Sequence, residues 1–233
     1  MTSKVCIVAG TGPGTGIACA RRFAAGGYRV AMLARTKERL AAWEAEIPNS
    51  KGYAVDVREP DSIGAAVAEI RADLGAPSVL IYNAVAAHFA EFDKIDPAKL
   101  ENAFKVNTMG LLHLARAVTP AMVEAGHGAI IVTGNTAARR GKPAFAGFAP
   151  TKAAQRILAE SMARTLGPKG VHVAYLIIDA VIDVPWARER YADRPDDFFA
   201  KPDGIAAAAW DLAHQDRSAW AFDLEIRPFG ETW

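Results

Sequence analysis

The sequence has few cysteines and almost no net charge, and each shortage excludes a class of protein. The two cysteines, Cys6 and Cys19, cannot form a disulfide framework. Neither has a second cysteine or a histidine at metal-ligand spacing, so we expect no metal site. A formal net charge of +1 gives no electrostatic attraction for nucleic acid or for an anionic membrane, so we expect neither as a partner.

Long apolar runs are also missing. No run approaches the ~20 residues that are needed to cross a bilayer. The first four residues lead directly into a strand-like segment, without the layout of a signal peptide. Hydrophobic residues make up 51% of the chain and charged residues 23%, which is typical of a soluble globular protein. These features predict a cytoplasmic protein that folds as a single domain over residues 1–233.

Short β-branched segments alternate with longer segments of helical periodicity. The strand-like segments are almost continuously apolar, as expected for strands that helices cover on both faces. Strands are predicted over residues 5–9, 28–34, 52–55, 79–82, 129–133, 171–177 and 219–227. Helices are predicted over residues 15–25, 37–46, 61–74, 97–124, 145–166 and 204–214. This alternation predicts a Rossmann-type, doubly wound α/β fold with about seven mostly parallel strands.

The least regular part of the chain is the segment 179–203, which is rich in proline, aromatic residues and mixed charge. A loop of this length inside a compact domain is more often functional than idle, so we expect a lid beside a ligand site. The aromatic residues of this segment are Trp186, Tyr191, Phe198 and Phe199. They either cover an apolar ligand or pack as a small satellite core.

A glycine-rich turn joins the first strand to the first helix. It contains Gly10, Gly12, Pro13, Gly14 and Gly16. Glycines let the backbone turn tightly and approach a pyrophosphate, which then lies against the unpaired amides of the helix N-terminus. Such a turn alone is a weak indication, but its position between a strand and a helix predicts a dinucleotide site.

The end of the second strand indicates which dinucleotide is bound. An acidic residue there binds a ribose 2′-hydroxyl, whereas arginine accommodates a 2′-phosphate. This chain has Ala34 at the acidic position, followed by Arg35 and Thr36. A guanidinium beside a hydroxyl suits a phosphate dianion, so we expect NADP(H) rather than NAD(H). The alternative is that Arg35 is a solvated side chain at the start of the next helix.

The chain resembles the short-chain dehydrogenase/reductase family over nearly its whole length. The glycine turn has the family's spacing, and the other matches follow in the family's order: Asp56-Val57, Asn83-Ala84, Asn107 and Lys152. The resemblance implies that Asp56 and Val57 hold an adenine. It implies that Lys152 holds the ribose and acts in catalysis with Asn107. It further implies that the cofactor site includes Ile17, Asn83, Ala84 and Ile182.

Two positions depart from the family's pattern, and they are those of its proton transfer. In the family, a tyrosine four residues before the lysine is the general acid and base. A serine thirteen residues before that tyrosine orients the substrate carbonyl. Here Phe148 and Asn135 occupy these positions. A phenyl ring has no proton to give, and losing general acid catalysis costs about 10²–10⁴ in rate.

Several polar groups are candidates to replace the missing tyrosine and serine. Asn135, or the hydroxyl of Thr136 beside it, can bind a substrate carbonyl. Asp179 follows the sixth strand, where the family places a residue beside the nicotinamide. His88 follows the fourth strand, and imidazole titrates near neutral pH. Each has a structural alternative, since Asp179 can cap the next short helix or pair with an arginine of the segment 179–203, and His88 can be an ordinary loop residue.

Three functions are compatible with these residues. The first is an oxidoreductase that binds NADP(H) and reduces a carbonyl or oxidises an alcohol, with a proton from water, His88 or Asp179. The second is a dinucleotide-binding protein that has lost catalysis. The third is a lyase or isomerase that reuses the pocket. We expect a small-molecule substrate, and the resemblance implies a homodimer or homotetramer.

Overall fold

A seven-stranded, wholly parallel sheet forms the centre of the computed structural model, which describes residues 4–231. Its strands are β1 (Val5–Ala9), β2 (Arg29–Ala34), β3 (Ser50–Ala54), β4 (Pro77–Tyr82), β5 (Gly128–Gly134), β6 (Val171–Ile178) and β9 (Asp223–Ile226). They lie in the order β3-β2-β1-β4-β5-β6-β9. A separate pair consists of β7 (Val181–Ile182) and β8 (Phe199–Ala200). The predicted doubly wound α/β fold is confirmed.

Helices cover both faces of this sheet. They are α1 (Thr15–Ala25), α2 (Lys37–Glu46), α3 (Pro60–Asp73), α4 (Pro97–Phe104), α5 (Gly110–Ala125), α6 (Ala149–Leu166), α7 (Pro185–Arg190) and α8 (Pro202–Ala213). Side chains alternate along β1, so that Val5 and Ile7 join a core with α3, α5 and α6, while Cys6 and Val8 join a core with α1, α2 and α8. Both faces are therefore buried, which explains the continuously apolar strands.

No helix within residues 4–231 is both long enough and apolar enough to span a bilayer.

Two predicted helices differ from the structure by more than two residues. The helix predicted over residues 97–124 is divided into α4 and α5 by a π-helical turn, Lys105–Met109. The helix predicted from residue 145 begins four residues later, because Phe148 is the N-cap and Pro150 lies in the first turn. Both differences lie beside predicted site residues, and the first contains Asn107.

The last strand is shorter than predicted and is held by ion pairs. Asp223 accepts hydrogen bonds from Arg156 Nε at 3.1 Å and from Arg139 Nη2 at 3.0 Å. Glu225, two residues further along β9, accepts from Arg139 Nη1 at 2.7 Å. Arg139 follows the turn after β5, and Arg156 belongs to α6. These pairs fix the loop after β5 to the edge of the sheet.

The segment 179–203 is more ordered than predicted. It contains β7, α7, a 3₁₀ turn and β8 rather than a continuous loop. Tyr191 and Phe198 lie with ring centroids 5.6 Å apart, and Phe199 is buried in the same cluster. Of the two alternatives for its aromatic residues, the satellite core therefore holds for these three. Trp186 lies apart from them and is 63% exposed.

A carboxylate joins the two ends of this segment. Asp183 accepts from Arg188 Nε at 2.6 Å, from Arg188 Nη2 at 2.9 Å and from Lys201 Nζ at 2.7 Å. Arg188 also donates to Asp196 at 2.7 Å. These cations hold the pKa of Asp183 well below its usual range. The side chain is only 20% exposed, so these charge-assisted bonds hold β7, α7 and the residue after β8 together.

Removing this charge is predicted to loosen the segment without unfolding the sheet. In Asp183→Asn, the amides of residues 181–201 should exchange roughly tenfold faster, because a partly buried charge-assisted bond is lost. Hydrogen exchange followed by mass spectrometry measures this. Asp197→Asn is the control, since Asp197 is exposed and has no ion pair within the described residues. Equal exchange in both variants would show that Asp183 does not hold the segment.

Candidate functional site

The glycine turn lies directly against the end of β4. Gly10 has φ +84° and Gly14 has φ +102°, which are conformations that other residues rarely adopt. A Cβ added to Gly10 would lie 2.5 Å from Ala84 Cα, and one added to Gly16 would lie 2.5 Å from Gly10 O. Side chains at these positions would therefore push the turn away from the sheet. Glycine is required for the close approach that the sequence predicted.

Asn83 ties three strand ends together at this turn. Its Nδ2 donates to Gly10 O at 2.9 Å, and its Oδ1 accepts from Thr133 Oγ1 at 3.0 Å. Its backbone amide continues the pairing of β4 with β1 by donating to Ala9 O at 2.8 Å. The carboxyl ends of β1, β4 and β5 are thereby held in one edge of the sheet, where doubly wound folds bind ligands.

A cavity of about 510 Å³ opens in front of this edge. It brings together most of the residues that the sequence predicted for a cofactor. Those that line it are Gly10, Gly12, Pro13, Arg35, Thr36, Asp56, Val57, Asn83 and Ala84. The volume is within the range of small-molecule sites in proteins. We name this cavity the dinucleotide cleft after the ligand that the sequence predicts.

Three arginines surround one end of the dinucleotide cleft, and two of them were not predicted. Arg35 was expected, whereas Arg39, four residues later on α2, and Arg58, two residues after Asp56, also line the cavity. Arg35 lies between β2 and α2, and Arg39 lies in the first turn of α2. Within residues 4–231, neither Arg35 nor Arg39 makes an ion pair or a side-chain hydrogen bond.

The acidic residue of the dinucleotide cleft already has a cationic partner. Asp56 accepts from Arg58 Nε at 2.9 Å and 3.0 Å through its two oxygens, and Arg58 Nη1 donates to Asn102 Oδ1 at 2.9 Å. Hydrogen bonds from Arg58, and to a lesser extent the charge of Arg35, hold the pKa of Asp56 below its usual range. Because Arg58 compensates Asp56, the charges of Arg35 and Arg39 leave this end of the cleft positive.

The remaining predicted cofactor residues lie behind the turn or in the core. A Cβ added to Gly14 would lie 2.7 Å from Val184 Cγ1 and 4.0 Å from Ile182 Cγ2, so the turn packs against the segment that contains β7. Ile17, a residue of α1, is buried in the core, and its amide donates to Gly12 O at 3.1 Å. These residues support the glycine turn from the side of the core.

Lys152 lies inside the protein rather than in the dinucleotide cleft. It is 3% exposed, and its Nζ donates to Thr133 O at 3.0 Å and to Gln155 Oε1. Within residues 4–231 it has no ion pair with a carboxylate. Burial lowers the pKa of Lys152 to about 7. The lysine is therefore partly uncharged at neutral pH, a consequence of tertiary packing that the motif alone does not reveal.

Asn107 is also fully buried and joins the π-helical turn to two neighbours. Its Oδ1 accepts from the amide of Ala86, and its Nδ2 donates to the carbonyl of Ala86, both at 2.9 Å. The same Nδ2 donates to Thr151 Oγ1 at 2.8 Å. Asn107 thus fixes the loop after β4 to the start of α6, beside Lys152.

The tyrosine and serine positions carry no hydroxyl and form no hydrogen bond to each other. Phe148 is 4% exposed, with its ring centroid 5.2 Å from that of Phe89 and 6.4 Å from that of Phe145. Asn135 caps the following turn by accepting from the amide of Ala137 at 3.1 Å. The site that would transfer a proton in the family is here an apolar, aromatic wall.

The two predicted substitute acids have structural partners. His88 Nε2 accepts from the backbone amide of Asp96 at 3.2 Å, so this nitrogen carries no proton in that contact. Asp179 accepts from Thr136 Oγ1 at 3.2 Å and lies 3.8 Å from Arg140 Nη2. This arginine belongs to the loop after β5 and not to the segment 179–203, from which a pairing arginine was expected. The Thr136–Asp179 contact nevertheless places a hydroxyl and a carboxylate together at the ends of β5 and β6.

Comparison with known proteins extends these observations. The family model for short chain dehydrogenase matches residues 4–194. The oxidoreductase asL5 of Sarocladium schorii is 29% identical over 228 residues, which cover 94% of this chain and 91% of that protein.

Two solved structures are similar over almost their whole length. A short-chain dehydrogenase from Rhodopseudomonas palustris is 31% identical with a TM-score of 0.83, covering 98% of this chain and 100% of that chain. A metagenomic short-chain oxidoreductase in complex with NADP is 28% identical with a TM-score of 0.84, covering 97% of each chain.

The buried amine of Lys152 is predicted to make stability depend on pH. Its folded-state pKa of about 7 lies below the usual lysine value of ~10.4, so the unfolded chain binds the extra proton between these limits. Stability therefore rises as pH rises through this interval. Lys152→Met removes the effect. Between pH 7 and pH 9, wild type should gain about 2 kcal/mol of unfolding free energy relative to this variant.

Urea unfolding at the two pH values measures this difference. The control is Lys37→Met, which changes an exposed lysine and should leave the pH dependence of wild type unaltered. A gap between wild type and Lys152→Met that is the same at pH 7 and pH 9 would contradict a lowered pKa.

Proposed function

This chain belongs to the short-chain dehydrogenase family, and we propose that it is an NADP(H)-dependent oxidoreductase. Its substrate is a carbonyl or alcohol compound, and its proton donor is not a tyrosine. The observation that carries the proposal is the dinucleotide cleft, which Arg35, Arg39 and Arg58 line and in which Ala34, at the end of β2, replaces an acidic residue. A guanidinium cluster without an uncompensated carboxylate suits a 2′-phosphate.

The residues of the glycine turn fit a pyrophosphate. A Cβ could not be placed on Gly10 or Gly16 without displacing backbone, so the turn is shaped for close approach. Thr15, the first residue of α1, has a buried hydroxyl that lacks a hydrogen-bond partner within residues 4–231. Together with the unpaired amides of the helix N-terminus, this hydroxyl would hold a phosphate oxygen.

Two further features support NADP(H) over NAD(H). Asp56 is compensated by Arg58, so it does not repel a second negative charge at this end of the dinucleotide cleft. The similar metagenomic oxidoreductase was solved in complex with NADP. Arg35 and Thr36 would bind the 2′-phosphate, and Arg39 would add a second cation from the first turn of α2.

The bound nicotinamide would supply or accept a hydride at the substrate carbon. The protein's contribution is to orient both groups and to move a proton. Phe148 and its aromatic neighbours Phe89 and Phe145 form an apolar wall suited to a hydrophobic part of the substrate. We propose that Thr136 and Asp179 carry out proton transfer, because their hydroxyl and carboxylate are hydrogen-bonded to each other at the ends of β5 and β6.

A second candidate function is binding of the dinucleotide without catalysis. It is favoured by the ring of Phe148, which supplies no hydroxyl, and by the inward position of Lys152. A third possibility is a lyase or isomerase that uses the same cleft. No contact within the described residues specifically favours it.

The proposal includes a homodimer or homotetramer in the cytoplasm, with a small molecule as its other partner. The apolar side chains of Met109 and Ile157 are 40% and 60% exposed on the π-helical turn and on α6. A partner subunit that covers this face would remove them from water.

Cofactor selectivity is predicted to depend on Arg35. In Arg35→Ala, NADPH should bind about 10- to 100-fold more weakly, because a charge-assisted bond to the 2′-phosphate is lost. NADH, which has no such phosphate, should bind almost as it does to wild type. Fluorescence titration with each cofactor measures the two constants. Arg71→Ala, an exposed change on α3, is the control, and equal losses for both cofactors would remove the 2′-phosphate argument.

Restoring the missing hydroxyls is predicted to raise activity. The double change Phe148→Tyr with Asn135→Ser should increase reduction of ketones in a carbonyl screen, by up to about 10²–10⁴. The single change Asn135→Ser is the matched control, because it leaves the phenyl ring in place. If the double variant binds NADPH but gains activity on no ketone, the pocket serves a different reaction or none.

A further inference from the structure

Gln155 is a fully buried polar residue that the sequence motifs do not include. It lies one turn after Lys152 on the face of α6 that packs against the sheet. Its Nε2 donates to the main-chain carbonyl of Asn107 at 2.7 Å. Its Oε1 accepts from Lys152 Nζ and from the hydroxyl of Tyr175 at 3.3 Å. A buried amide without partners is costly, and these partners fix both ends of this one.

Among residues 4–231, the surroundings of Lys152 contain oxygen acceptors but no carboxylate bonded to it. From β5 the amine faces the carbonyl of Thr133, and from α6 it faces the amide oxygen of Gln155. From β6 the nearby titratable group is Tyr175, whose phenol stays protonated because burial raises its pKa. Arg156 and Asp223 act on Tyr175 and pair with each other, so they add little net charge. Burial lowers the pKa of Lys152.

The amide is suited to this position in a way that its nearest analogues are not. Glutamate would place a negative charge beside the amine and keep it protonated, while turning an oxygen towards the carbonyl of Asn107. A methionine of similar length would leave that carbonyl without its donor and the amine with only the carbonyl of Thr133 as an acceptor. Only a group that is uncharged, donates at one end and accepts at the other satisfies both.

We propose that Gln155 is a positioning residue that holds the amine of Lys152 between two uncharged acceptors, its own amide oxygen and the carbonyl of Thr133. This rests on the proposed binding of NADP(H), which is an anion and is attracted more strongly by the charged form of Lys152. Cofactor affinity then rises as pH falls through the range in which Lys152 titrates, and Gln155 sets that range.

The first test observes the lysine directly and needs no cofactor. Carbon-13 NMR of the lysine Cε resonances follows each lysine through a pH titration, and Lys152→Met identifies the resonance of Lys152. The wild-type midpoint should lie near 7. In Gln155→Glu it should rise, with proton affinity increased about tenfold or more. In Gln155→Met it should fall, because the ammonium loses an acceptor.

The matched control is Gln215→Glu, which changes a glutamine whose Oε1 accepts from the amide of Ala221 at 2.8 Å, outside the dinucleotide cleft. It should leave the midpoint of Lys152 unchanged. A wild-type midpoint above pH 9, or an identical midpoint in wild type and Gln155→Glu, would overturn the assignment. If the glutamate variant does not fold, a midpoint in Gln155→Met that is not lower than in wild type overturns it equally.

The second test measures the dissociation constant of NADPH between pH 6.5 and pH 9. The quantity compared is the ratio of the constants for Gln155→Met and wild type, in which the ionisation of NADPH itself cancels. This ratio should be several-fold at pH 6.5 and approach one at pH 9, where Lys152 is neutral in both proteins. A purely structural role for Gln155 predicts the same ratio at every pH, which would overturn the proposal. If wild type binds no NADPH but the NMR midpoints shift as expected, the proposed function fails while the effect of Gln155 on Lys152 stands.

Discussion

The burial of the Lys152 amine without an acidic partner is the constraint on which this site depends. Burying an ammonium group costs several kcal/mol unless its protons are hydrogen-bonded. The neighbouring elements must therefore supply hydrogen-bond acceptors, or the lysine must be partly neutral. The end of β5 supplies a carbonyl and α6 supplies Gln155. The π-helical turn supplies the carbonyl of Asn107 that orients Gln155 in turn. The turn, the helix and the sheet are thereby held in one arrangement at the edge of the sheet.

The two ends of the site differ in polarity, and this difference determines what each can do. At the end of β2, arginines line an open cleft in which the carboxylate of Asp56 is compensated by Arg58, which suits an anionic group. At the start of α6, the ring of Phe148 lies among other phenyl rings and offers no proton. The binding end therefore retains what binding requires, whereas the proton-transfer end has exchanged a hydroxyl for apolar packing.

Those features of the fold and the site that depend on a single short segment could be predicted from the sequence. The glycine turn, Arg35 and the strand pattern are local, and the alternation of strands and helices leaves few other topologies. The roles of Gln155 and Arg58 could not be predicted, because each depends on a contact with a distant segment, at Asn107 and at Asn102. The start of α6 was placed too early because the apolar residues before Phe148 continue the helical pattern, although they pack as a loop. The order of the segment 179–203 depends on Asp183, whose cations approach only in the folded chain.

The central claim is that the dinucleotide cleft binds NADP(H) although the family's proton donor is missing. The most direct measurement is calorimetric titration of the unaltered protein with NADPH and with NADH at the same salt concentration and pH. Our account predicts saturable binding of NADPH that is at least about tenfold tighter than binding of NADH, because only NADPH carries the phosphate that the arginines address. Absence of binding by either cofactor, or equal affinity for both, would contradict it.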